Sequence, residues 1–542
     1  MQGLMMDVPL MISSLIRHAD RYHGDAEIVS RTIEGPIHRY TYRDAHARAR
    51  RLARALARLG VRNSDRVGTL AWNGHRHFEL YYAISGMGAI THTINPRLFH
   101  DQLVYIVNHA EDAIVFFDTT FVALVEKLAP VCRSVKQWVA MTDAAHLPRA
   151  KVPGLLSYEE LLAAEDDDFE WPEFDENTAA TLCYTSGTTG NPKGVLFSHR
   201  STVLHAYAIS LPDTKGLSAR SSVLAVVPMF HVNAWGIPYA APLVGAKLVF
   251  PGCALDGASL YELIEAERVD STSAVPTVWM NLINHMKQNG LRFSTLTHTT
   301  IGGAACPPAM MKTLREDFGV VVMHGWGMTE MSPVGTLNAP KRKHAGLSVD
   351  EQFQVSVKQG RPLYGVEMKV VDAEGRELPR DGKSAGNLLV RGPWVLRRYY
   401  KDEGGDPLTP DGWLPTGDMG TIDPDGYLQI TDRSKDVIKS GGEWISSIEL
   451  ENIAVAHPGV SEAAVIGIPD AKWGERPLLI VVKRAGAELT RDAMLKFYEG
   501  KIARWAVPED AVFVDELPHT ATGKLSKLTL RQQFKDYHLR RA

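Results

Sequence analysis

Apolar runs with two different periods alternate along the first third of the chain, and this alternation constrains the fold more than any other feature. Short runs rich in β-branched and aromatic residues predict strands, whereas apolar residues at helical spacing predict helices. The predicted strands are 67–72, 113–117 and 138–141, and the predicted helices are 79–87 and 121–128. Strands that alternate with helices form parallel sheets whose faces the helices cover. We therefore predict an α/β fold for the larger part of the chain.

A helix-start pattern precedes these runs. Thr41 is followed three residues later by Asp44, and apolar residues then recur at helical spacing up to Gly60. A hydroxyl and a carboxylate at this spacing can cap the first turn reciprocally. The opposite side of this helix carries Arg48, Arg51, Arg54 and Arg58. We expect these arginines to form a solvated face, and we read the acidic stretch 165–170 as a solvated connection.

The chain is too long for one hydrophobic core. It has 542 residues, and single cores stop growing beyond roughly 250 to 300 residues. The segments 367–371 and 387–390 alternate in the manner of hairpins and predict a small β-barrel. We predict a large N-terminal domain over 1–432, a hinge at 433–435, and a small mobile α+β domain over 436–542.

Composition excludes several classes of protein. Hydrophobic residues make up 45% and charged residues 23% of the chain, which excludes a disordered or fibrous protein. The formal net charge of −4 argues against a nucleic-acid partner. The four cysteines are far apart and lack a C-x-x-C pattern, so they predict neither a zinc site nor a disulfide framework. The most apolar run, 237–250, is too short for a membrane span, so we expect a cytoplasmic protein without a transmembrane segment.

The segment 184–195 combines glycines, hydroxyls and one lysine. It reads Tyr-Thr-Ser-Gly-Thr-Thr-Gly-Asn-Pro-Lys-Gly-Val and lies between two apolar runs. Glycine allows consecutive N–H groups to converge on one anion, while hydroxyls and a lysine add donors and charge. We predict a polyphosphate loop made of Thr185, Ser186, Gly187, Thr188, Thr189, Gly190 and Lys193. The order of residues is not that of the Walker loop.

This loop resembles the phosphate-binding loop of the adenylate-forming superfamily, which includes acyl-CoA synthetases, luciferases and peptide-synthetase adenylation domains. Further motifs of that superfamily follow in the same order along the whole chain, at 299–305, 324–330, 413–418, 432–443 and 518–525. The chain departs from the usual pattern at Trp326, where tyrosine is more frequent, at His324, where glutamine is frequent, and at Asn387, where a glutamate is expected.

The resemblance implies a role for each matching residue. Beyond the loop, it implies nucleotide binding by Gly303, Ala304, His324, Gly325, Trp326, Thr329, Asp418, Arg433, Lys435 and Lys439. Lys524 is implied as the catalytic lysine and Lys435 as the pivot of the hinge, and we add His231 and Glu330 as catalytic candidates. Because Mg²⁺ prefers hard oxygen ligands beside phosphates, Thr185 and Glu330 are the candidate metal ligands.

Two further sites follow from the same resemblance. His231, Trp235, Gly302 and Gly303 are expected to line an acyl pocket, in which the indole resembles a gate between the acyl tunnel and the ATP site. A CoA channel is expected along Lys439, Ser440, Gly441, Gly442 and Trp444.

The implied activity is an ATP- and CoA-dependent acid–CoA ligase. The stretch 324–333 is similar to the same stretch of medium-chain acyl-CoA ligases, a subgroup that includes enzymes that act on 3-methylmercaptopropionate. A short or medium-chain acid is therefore the expected substrate. Long-chain and aryl acids are alternatives. Luciferase-type oxidation and loading of a carrier domain are rival activities, although the chain ends 18 residues after Lys524, which leaves no room for a carrier. The resemblance also suggests a homodimer.

Overall fold

The computed structural model describes residues 1–185, 191–441, 443–520 and 524–539. In the region up to residue 362, the strands are β1 (Glu27–Arg31), β2 (Ile37–Thr41), β3 (Arg66–Leu70), β4 (Ile90–Thr93), β5 (Ile114–Phe117), β6 (Gln137–Ala140), β7 (Leu156–Ser157), β8 (Ala179–Tyr184), β9 (Gly194–Ser198), β10 (Ser222–Leu224), β11 (Lys247–Phe250), β12 (Ser271–Ala274), β13 (His298–Ile301), β14 (Val321–Gly327), β15 (Val334–Leu337) and β16 (Arg361–Pro362). The helices of that region are α1 (Ile12–His23), α2 (Tyr42–Arg58), α3 (His75–Gly86), α4 (His100–Ala110), α5 (Val122–Leu128), α6 (Tyr158–Ala163), α7 (His199–Ser210), α8 (Val232–Trp235), α9 (Ile237–Val244), α10 (Gly257–Ala266), α11 (Pro276–Asn289), α12 (Pro308–Phe318) and α13 (Val349–Ser356).

The remainder of the chain is richer in strands. These are β17 (Glu367–Val371), β18 (Gly386–Arg391), β19 (Leu414–Ile422), β20 (Leu428–Arg433), β21 (Ile438–Ser440), β22 (Glu443–Ile445), β23 (Val460–Asp470), β24 (Gly474–Lys483) and β25 (Asp510–Val514). The helices are α14 (Ser447–Val455), α15 (Arg491–Phe497) and α16 (Lys527–Gln533).

Two large, mostly parallel sheets form the N-terminal part. One has the order β7-β6-β5-β3-β4-β8-β9, and the other has the order β16-β15-β14-β13-β12-β10-β11-β1-β2. All neighbours from β14 to β1 in the second sheet are parallel, and antiparallel strands occur only toward its edges. Helices α1, α3, α7 and α9 contribute to a large apolar core that includes Phe78, Tyr81, Tyr82 and Tyr239. The α/β fold predicted from the alternating periods is therefore confirmed.

The register of the parallel strands brings three loops to one edge. Ala274 on β12 pairs with Ile301 on β13, and Ile301 pairs with His324 on β14. The segments that follow Ala274 and Ile301 therefore leave the sheet beside the end of β14, which runs on to Gly327. Ligand sites in open α/β sheets gather beyond the carboxyl ends of strands, and Gly302, Gly303 and Gly325 lie at this edge.

The C-terminal part contains two smaller sheets. Strands β17, β18, β19 and β20 form an antiparallel sheet in that order, so the predicted hairpins are present, but in the described chain they form an open sheet rather than a closed barrel. The last sheet has the order β22-β21-β24-β23, with β25 added in parallel to β24. The predicted α+β unit is confirmed. The predicted hinge at 433–435 begins at the last residue of β20 and precedes β21, the first strand of the next sheet.

The expectation that the arginines of α2 form a solvated face is wrong in part. The predicted capping box of Thr41 and Asp44 is present. Arg48, however, is paired with the fully buried Glu79 at 2.9 Å, and Arg54 and Arg58 both pair with Glu165. The arginine face is therefore not simply solvated, because the acidic connection packs on it and complements its charge.

Among the described residues, no helix combines the length and the apolar character needed to cross a lipid bilayer.

Candidate active site

One cavity collects most of the residues predicted to form the site. Its volume is about 310 Å³, and it opens beside the carboxyl ends of β13 and β14. The predicted residues that line it are Thr185, Lys193, His231, Trp235, Gly302, Gly303, Gly325, Trp326, Thr329, Glu330, Arg433 and Lys524. These residues come from segments spread over some 340 positions of the sequence, and only the tertiary fold brings them together.

The two ends of the predicted phosphate loop are tied to each other. The Thr185 N–H donates to the Lys193 carbonyl at 2.9 Å, and the Lys193 N–H donates to Thr185 Oγ1 at 3.1 Å. The strands β8 and β9 that flank the loop are antiparallel neighbours. The predicted loop residues Ser186, Gly187, Thr188, Thr189 and Gly190 lie outside the described residues.

Glu330 is a carboxylate buried at the cavity wall. It is 8% exposed, and its Oε1 accepts a hydrogen bond from the Tyr399 hydroxyl at 2.9 Å. Burial raises the pKa of Glu330, while Tyr399, Arg433 and Lys524 act in the opposite direction. The ring of Tyr399 also lies under the Lys193 ammonium, 4.8 Å from Nζ to the ring centroid. Tyr399 therefore links the metal candidate to the lysine of the phosphate loop.

Asp418 organises two neighbouring side chains. Its Oδ2 accepts from Trp326 Nε1 at 2.8 Å, and its Oδ1 accepts from Arg433 Nε at 3.1 Å. The carboxylate is 6% exposed and lies just behind the cavity lining. Asp418 thus fixes the indole and the guanidinium, and ribose hydroxyls would use its remaining lone pairs.

Lys524 reaches the cavity from the C-terminal domain. A Cβ placed on Gly303 would lie 3.8 Å from Lys524 Cε, so the lysine stem passes close to the glycine turn after β13. The Lys524 N–H donates to Thr520 Oγ1 at 3.2 Å, which closes the loop that carries it. Its pKa is lowered by burial and by Arg433. The described cavity therefore holds Lys193, Arg433 and Lys524, a positive set suited to phosphate oxygens.

Trp235 lies between this cavity and a second one. The second cavity has a volume of about 250 Å³, has a largely aliphatic and aromatic lining, and shares His231, Trp235, Gly303 and Lys524 with the first. Burial, Lys524 and Arg97 lower the pKa of His231 to about 3, so its imidazole is neutral and is not a cation at physiological pH. His231 and Trp235 form a wall that separates the two spaces.

The backbone that carries Trp235 is left-handed. In α8 the φ angles of Val232, Asn233, Ala234 and Trp235 are 40°, 55°, 50° and 54°. Left-handed residues other than glycine cost roughly 1–2 kcal/mol each, so the surroundings must impose this turn. Asn73 contributes by donating to the carbonyls of Ala225 and Val227 and by accepting from the Met229 N–H. The Tyr81 hydroxyl bonds to Asn233 Oδ1 at 3.2 Å.

Several predicted site residues lie away from the cavity. His324 is buried behind its wall, where its Nε2 accepts from the Cys306 N–H and its Nδ1 bonds to the Val357 carbonyl. Ala304 lies on an exposed bend. The side chain of His324 therefore supports the wall rather than lining the cavity, because both of its ring nitrogens are hydrogen-bonded to backbone groups behind that wall.

The predicted hinge and channel residues are also separate from the cavity. Lys435 is exposed, and its carbonyl accepts from Arg531 Nη2. Lys439 and Trp444 are paired and exposed across the hairpin of β21 and β22, while Ser440 is buried against Arg476. Gly441 lies in the turn of that hairpin, and Gly442 lies outside the described residues. In this domain orientation the predicted CoA channel is not part of the site.

Sequence reasoning did not identify several residues that line or support the cavity. Tyr399, Asn191 and Thr416 line the cavity, and Asn73 and Tyr81 support Trp235. Asn191 falls within the phosphate loop segment and Thr416 within the motif at 413–418, whereas Tyr399, Asn73 and Tyr81 lie in no motif with an evident chemical purpose. The roles of these last three residues depend on which distant segments they meet, so no local signal could have identified them.

The donors present fit a magnesium ion held partly by phosphates. Among the described residues, no group of three or more His, Cys, Asp or Glu side chains could hold a metal alone. Mg²⁺ commonly binds one or two carboxylates together with substrate phosphates rather than an all-protein cage. The carboxylate of Glu330 and the hydroxyl of Thr185 line one cavity and are hard oxygen donors of this kind.

Comparison with known proteins gives consistent matches over the whole chain. The sequence pattern described as AMP-binding enzyme matches residues 15–400, and the pattern described as AMP-binding enzyme C-terminal domain matches residues 449–524. The chain is 54% identical over 538 residues to a 3-methylmercaptopropionyl-CoA ligase from Ruegeria lacuscaerulensis, with 99% of each chain covered. It is 51% identical to a medium-chain-fatty-acid–CoA ligase from Ectopseudomonas oleovorans, with 100% of this chain and 99% of the relative covered.

The fold also matches a solved structure. The anthranilate CoA ligase AuaEII in complex with anthranoyl-AMP aligns with a TM-score of 0.87 and 26% identity, and the alignment covers 98% of each chain.

Proposed function

Because the chain belongs to the AMP-binding enzyme family, we propose that it is an acid–CoA ligase that uses ATP and forms AMP. The observation that supports this most is that Lys524 of the C-terminal domain lines the same cavity as Thr185, Lys193, Glu330 and Arg433. Relatives at 51% and 54% identity that act as CoA ligases support the same activity.

In the first half-reaction, a carboxylate oxygen of the acid attacks the α-phosphorus of ATP. The bond from the α-phosphorus to the bridging oxygen breaks, which gives acyl-AMP and pyrophosphate. The developing negative charge is stabilised by cations already in place, so Lys524 would face the carboxylate and the α-phosphate while Lys193 faces the outer phosphates. Asp418 keeps Arg433 and Trp326 in position for the nucleotide.

Mg²⁺ belongs to this proposal, with Glu330 and Thr185 as its protein ligands. When bound, the ion would neutralise charge on the phosphate oxygens. The hydrogen bond from Tyr399 orients the Glu330 carboxylate before the nucleotide arrives. The carboxylate must be ionised to bind the ion, and its raised pKa makes that step sensitive to acid.

In the second half-reaction, the sulfur of CoA attacks the acyl carbon, AMP leaves, and the thiol proton is released. Lys524 occupies the cavity beside Gly303 in the described orientation, so the C-terminal domain must turn to admit the thiol. We propose Lys435 as the pivot, with the hairpin of β21 and β22 moving toward the cavity. The exposure of Lys439 and Trp444 in the present orientation supports such a movement.

The proposed substrate is a short or medium-chain acid, with 3-methylmercaptopropionate as the leading candidate. Its carboxylate would face Lys524, and its chain would extend along Gly302 and Gly303 toward Trp235. A thioether sulfur packs well against an aromatic ring, and the indole closes the way to the second cavity. The proposal also includes a cytoplasmic enzyme and a homodimer, and size-exclusion chromatography with light scattering would test the latter.

The test is a panel of straight-chain, aryl and methylthio acids assayed for AMP release with and without CoA. We expect AMP release to require CoA and to be fastest for short and medium chains. AMP release that does not need CoA would favour a luciferase-type enzyme. Fastest turnover of long chains or aryl acids would reject the substrate part alone.

A further inference from the structure

A buried ammonium lies against the indole that separates the two cavities. Lys215 is 3% exposed and lies in the turn after α7, where its N–H donates to the Ile209 carbonyl at 3.1 Å. Its Nζ donates to Ser273 Oγ at 2.6 Å and lies 5.7 Å from the ring centroid of Trp235. That distance is within the range of an attractive contact between a cation and an aromatic face.

The surroundings of this ammonium are unusual for a lysine. Among the described residues, no carboxylate forms an ion pair with it, and burial lowers the pKa of Lys215 to about 7. The titratable groups that face it are His205 on α7 and His298 on β13, and the pKa of each is lowered mainly by burial. Asp270, which also interacts with His298, is the next charged group. Both imidazoles are neutral near pH 7, so Lys215 is the group whose charge changes there.

The Trp235 indole requires a contact that fixes its position. Trp235 is the last residue of the left-handed turn, and its ring edge closely approaches the backbone of Gly302 and Gly303. A turn of this hand relaxes readily to an ordinary conformation unless its neighbours hold it in place. A cation over the ring and tethered to β12 by Ser273 is such a neighbour.

Building on the proposed function, we propose that Lys215 is a positioning residue that holds the Trp235 indole across the junction of the two cavities. It thereby limits the length of the acid that the site accepts. The charged form attracts the ring, and the neutral form does not, because only an ammonium interacts with the ring quadrupole in this way. Loss of the charge would free the indole to swing and would join the space of about 310 Å³ to the space of about 250 Å³.

The experiment is a competition between butanoate and octanoate in one reaction with ATP and CoA, with the ratio of the two acyl-CoA products read by mass spectrometry. The two carboxyl groups are chemically alike, so effects of pH on Lys524, on the metal and on CoA cancel in the ratio. For the natural chain we expect the octanoyl share to rise as the pH passes upward through about 7. Lys215→Met should give the high octanoyl share at every pH. Near pH 6 its ratio of octanoyl-CoA to butanoyl-CoA should exceed that of the natural chain by roughly tenfold.

The stability of Lys215→Met and two further variants test the role of Lys215 more closely. Lys215→Met removes a desolvated charge, so we expect it to fold and to unfold at a higher temperature than the natural chain. Ser273→Ala removes the tether of the ammonium, so the change of ratio should move to lower pH. Lys287→Met removes a half-exposed lysine paired with Asp317 and should leave ratio and pH profile unchanged.

The outcomes separate this inference from the proposed function. A natural chain that makes neither acyl-CoA rejects the proposed function. A natural chain that makes acyl-CoA with a ratio independent of pH, or a Lys215→Met enzyme that keeps the natural profile, overturns the role of Lys215 alone. A merely structural role would change total activity or stability in the variant without removing the pH dependence of the ratio.

Discussion

At the scale of single residues, the site depends on charges that are held close together and partly removed from water. Glu330, Asp418, Arg433 and Lys524 all belong to one network around the cavity: Arg433 and Lys524 act on the pKa of Glu330, and Arg433, Asp418 and Glu330 act on the pKa of Lys524. Keeping any one of these charges in the site without its partners would cost free energy. Changes to one member should therefore alter the ionisation of the others as well as its own contacts.

Glu330→Gln keeps the size of the side chain and removes its charge. We expect activity to fall by one to two orders of magnitude and the Mg²⁺ concentration for half-maximal rate to rise, because the amide is a poor ligand for a hard cation. The acid limb of the natural pH profile should also disappear, since the raised pKa of Glu330 makes its carboxylate take up a proton as the pH falls. Initial rates at varied Mg²⁺ and pH measure both effects.

Tyr399→Phe is the matched control, because it removes the hydrogen bond to Glu330 and leaves the carboxylate. It should change the Mg²⁺ dependence only slightly. An unaltered Mg²⁺ dependence in Glu330→Gln would remove Glu330 from the metal site.

Trp235→Ala should weaken the use of short acids and admit longer ones. The indole separates the two cavities, and a pocket that is closed at a fixed depth excludes long chains more strongly than it favours one more methylene, which is worth roughly 0.8 kcal/mol. The measurement is kcat/KM across a series of straight-chain acids. Trp505→Ala, which truncates an exposed indole (48% exposed), is the control. An unchanged chain-length profile in Trp235→Ala would contradict the role of Trp235.

At the scale of elements, the left-handed turn of α8 is held by its tightly packed neighbours. It follows the short strand β10 and leads into α9, and Gly236 at its end has a φ of +81°. A Cβ at Gly236 would lie 2.8 Å from His205 Cε1 and 2.8 Å from Ile209 Cδ1. Both neighbours are buried, so neither can move away easily.

Gly236→Ala should therefore lower the free energy of unfolding by about 2–4 kcal/mol, from backbone strain together with crowding in the core. Denaturant unfolding followed by circular dichroism measures this. Gly375→Ala is the matched control, since Gly375 has a φ of +82° but nothing within 4 Å of the added methyl group. A loss no larger than that of Gly375→Ala would show that α8 adapts to the methyl group.

At the scale of the whole molecule, the described orientation suits the first half-reaction. Lys524 is in the cavity, and the hairpin that carries Lys439 and Trp444 is exposed. Under the proposed mechanism, a single lysine on the C-terminal domain would serve one step and would have to leave the cavity for the other. The proposed turn about 433–435 can be tested by separating the two steps.

Lys524→Ala should reduce formation of acyl-AMP by several orders of magnitude, because the charge that faces the reacting phosphate is lost. Formation of acyl-CoA from supplied acyl-AMP should remain largely intact. The two half-reactions are measured separately, by pyrophosphate release and by CoA thioester formation. An equal loss in both steps would contradict the proposed turn of the C-terminal domain. Lys527→Ala, which removes a lysine paired with Glu451, is the control for general damage to that domain.

The sequence by itself determined the fold class and the chemical inventory of the site. The alternating periods are local properties of the chain, so they predicted the parallel sheets, and the capping box followed from local sequence in the same way. The motifs that resemble the adenylate-forming superfamily named the residues whose chemistry suits ATP and a carboxylate.

Only the tertiary structure decided which of these residues face one another. It placed His324 behind the wall and the arginines of α2 against acidic partners, and it brought Tyr399 to Glu330 and Lys215 to Trp235. Lys215 and Trp235 are 20 positions apart, and nothing in their local sequence marks the contact. Burial and the partner of a charged or aromatic group depend on segments that are remote in the chain, and those are fixed only when the whole core packs.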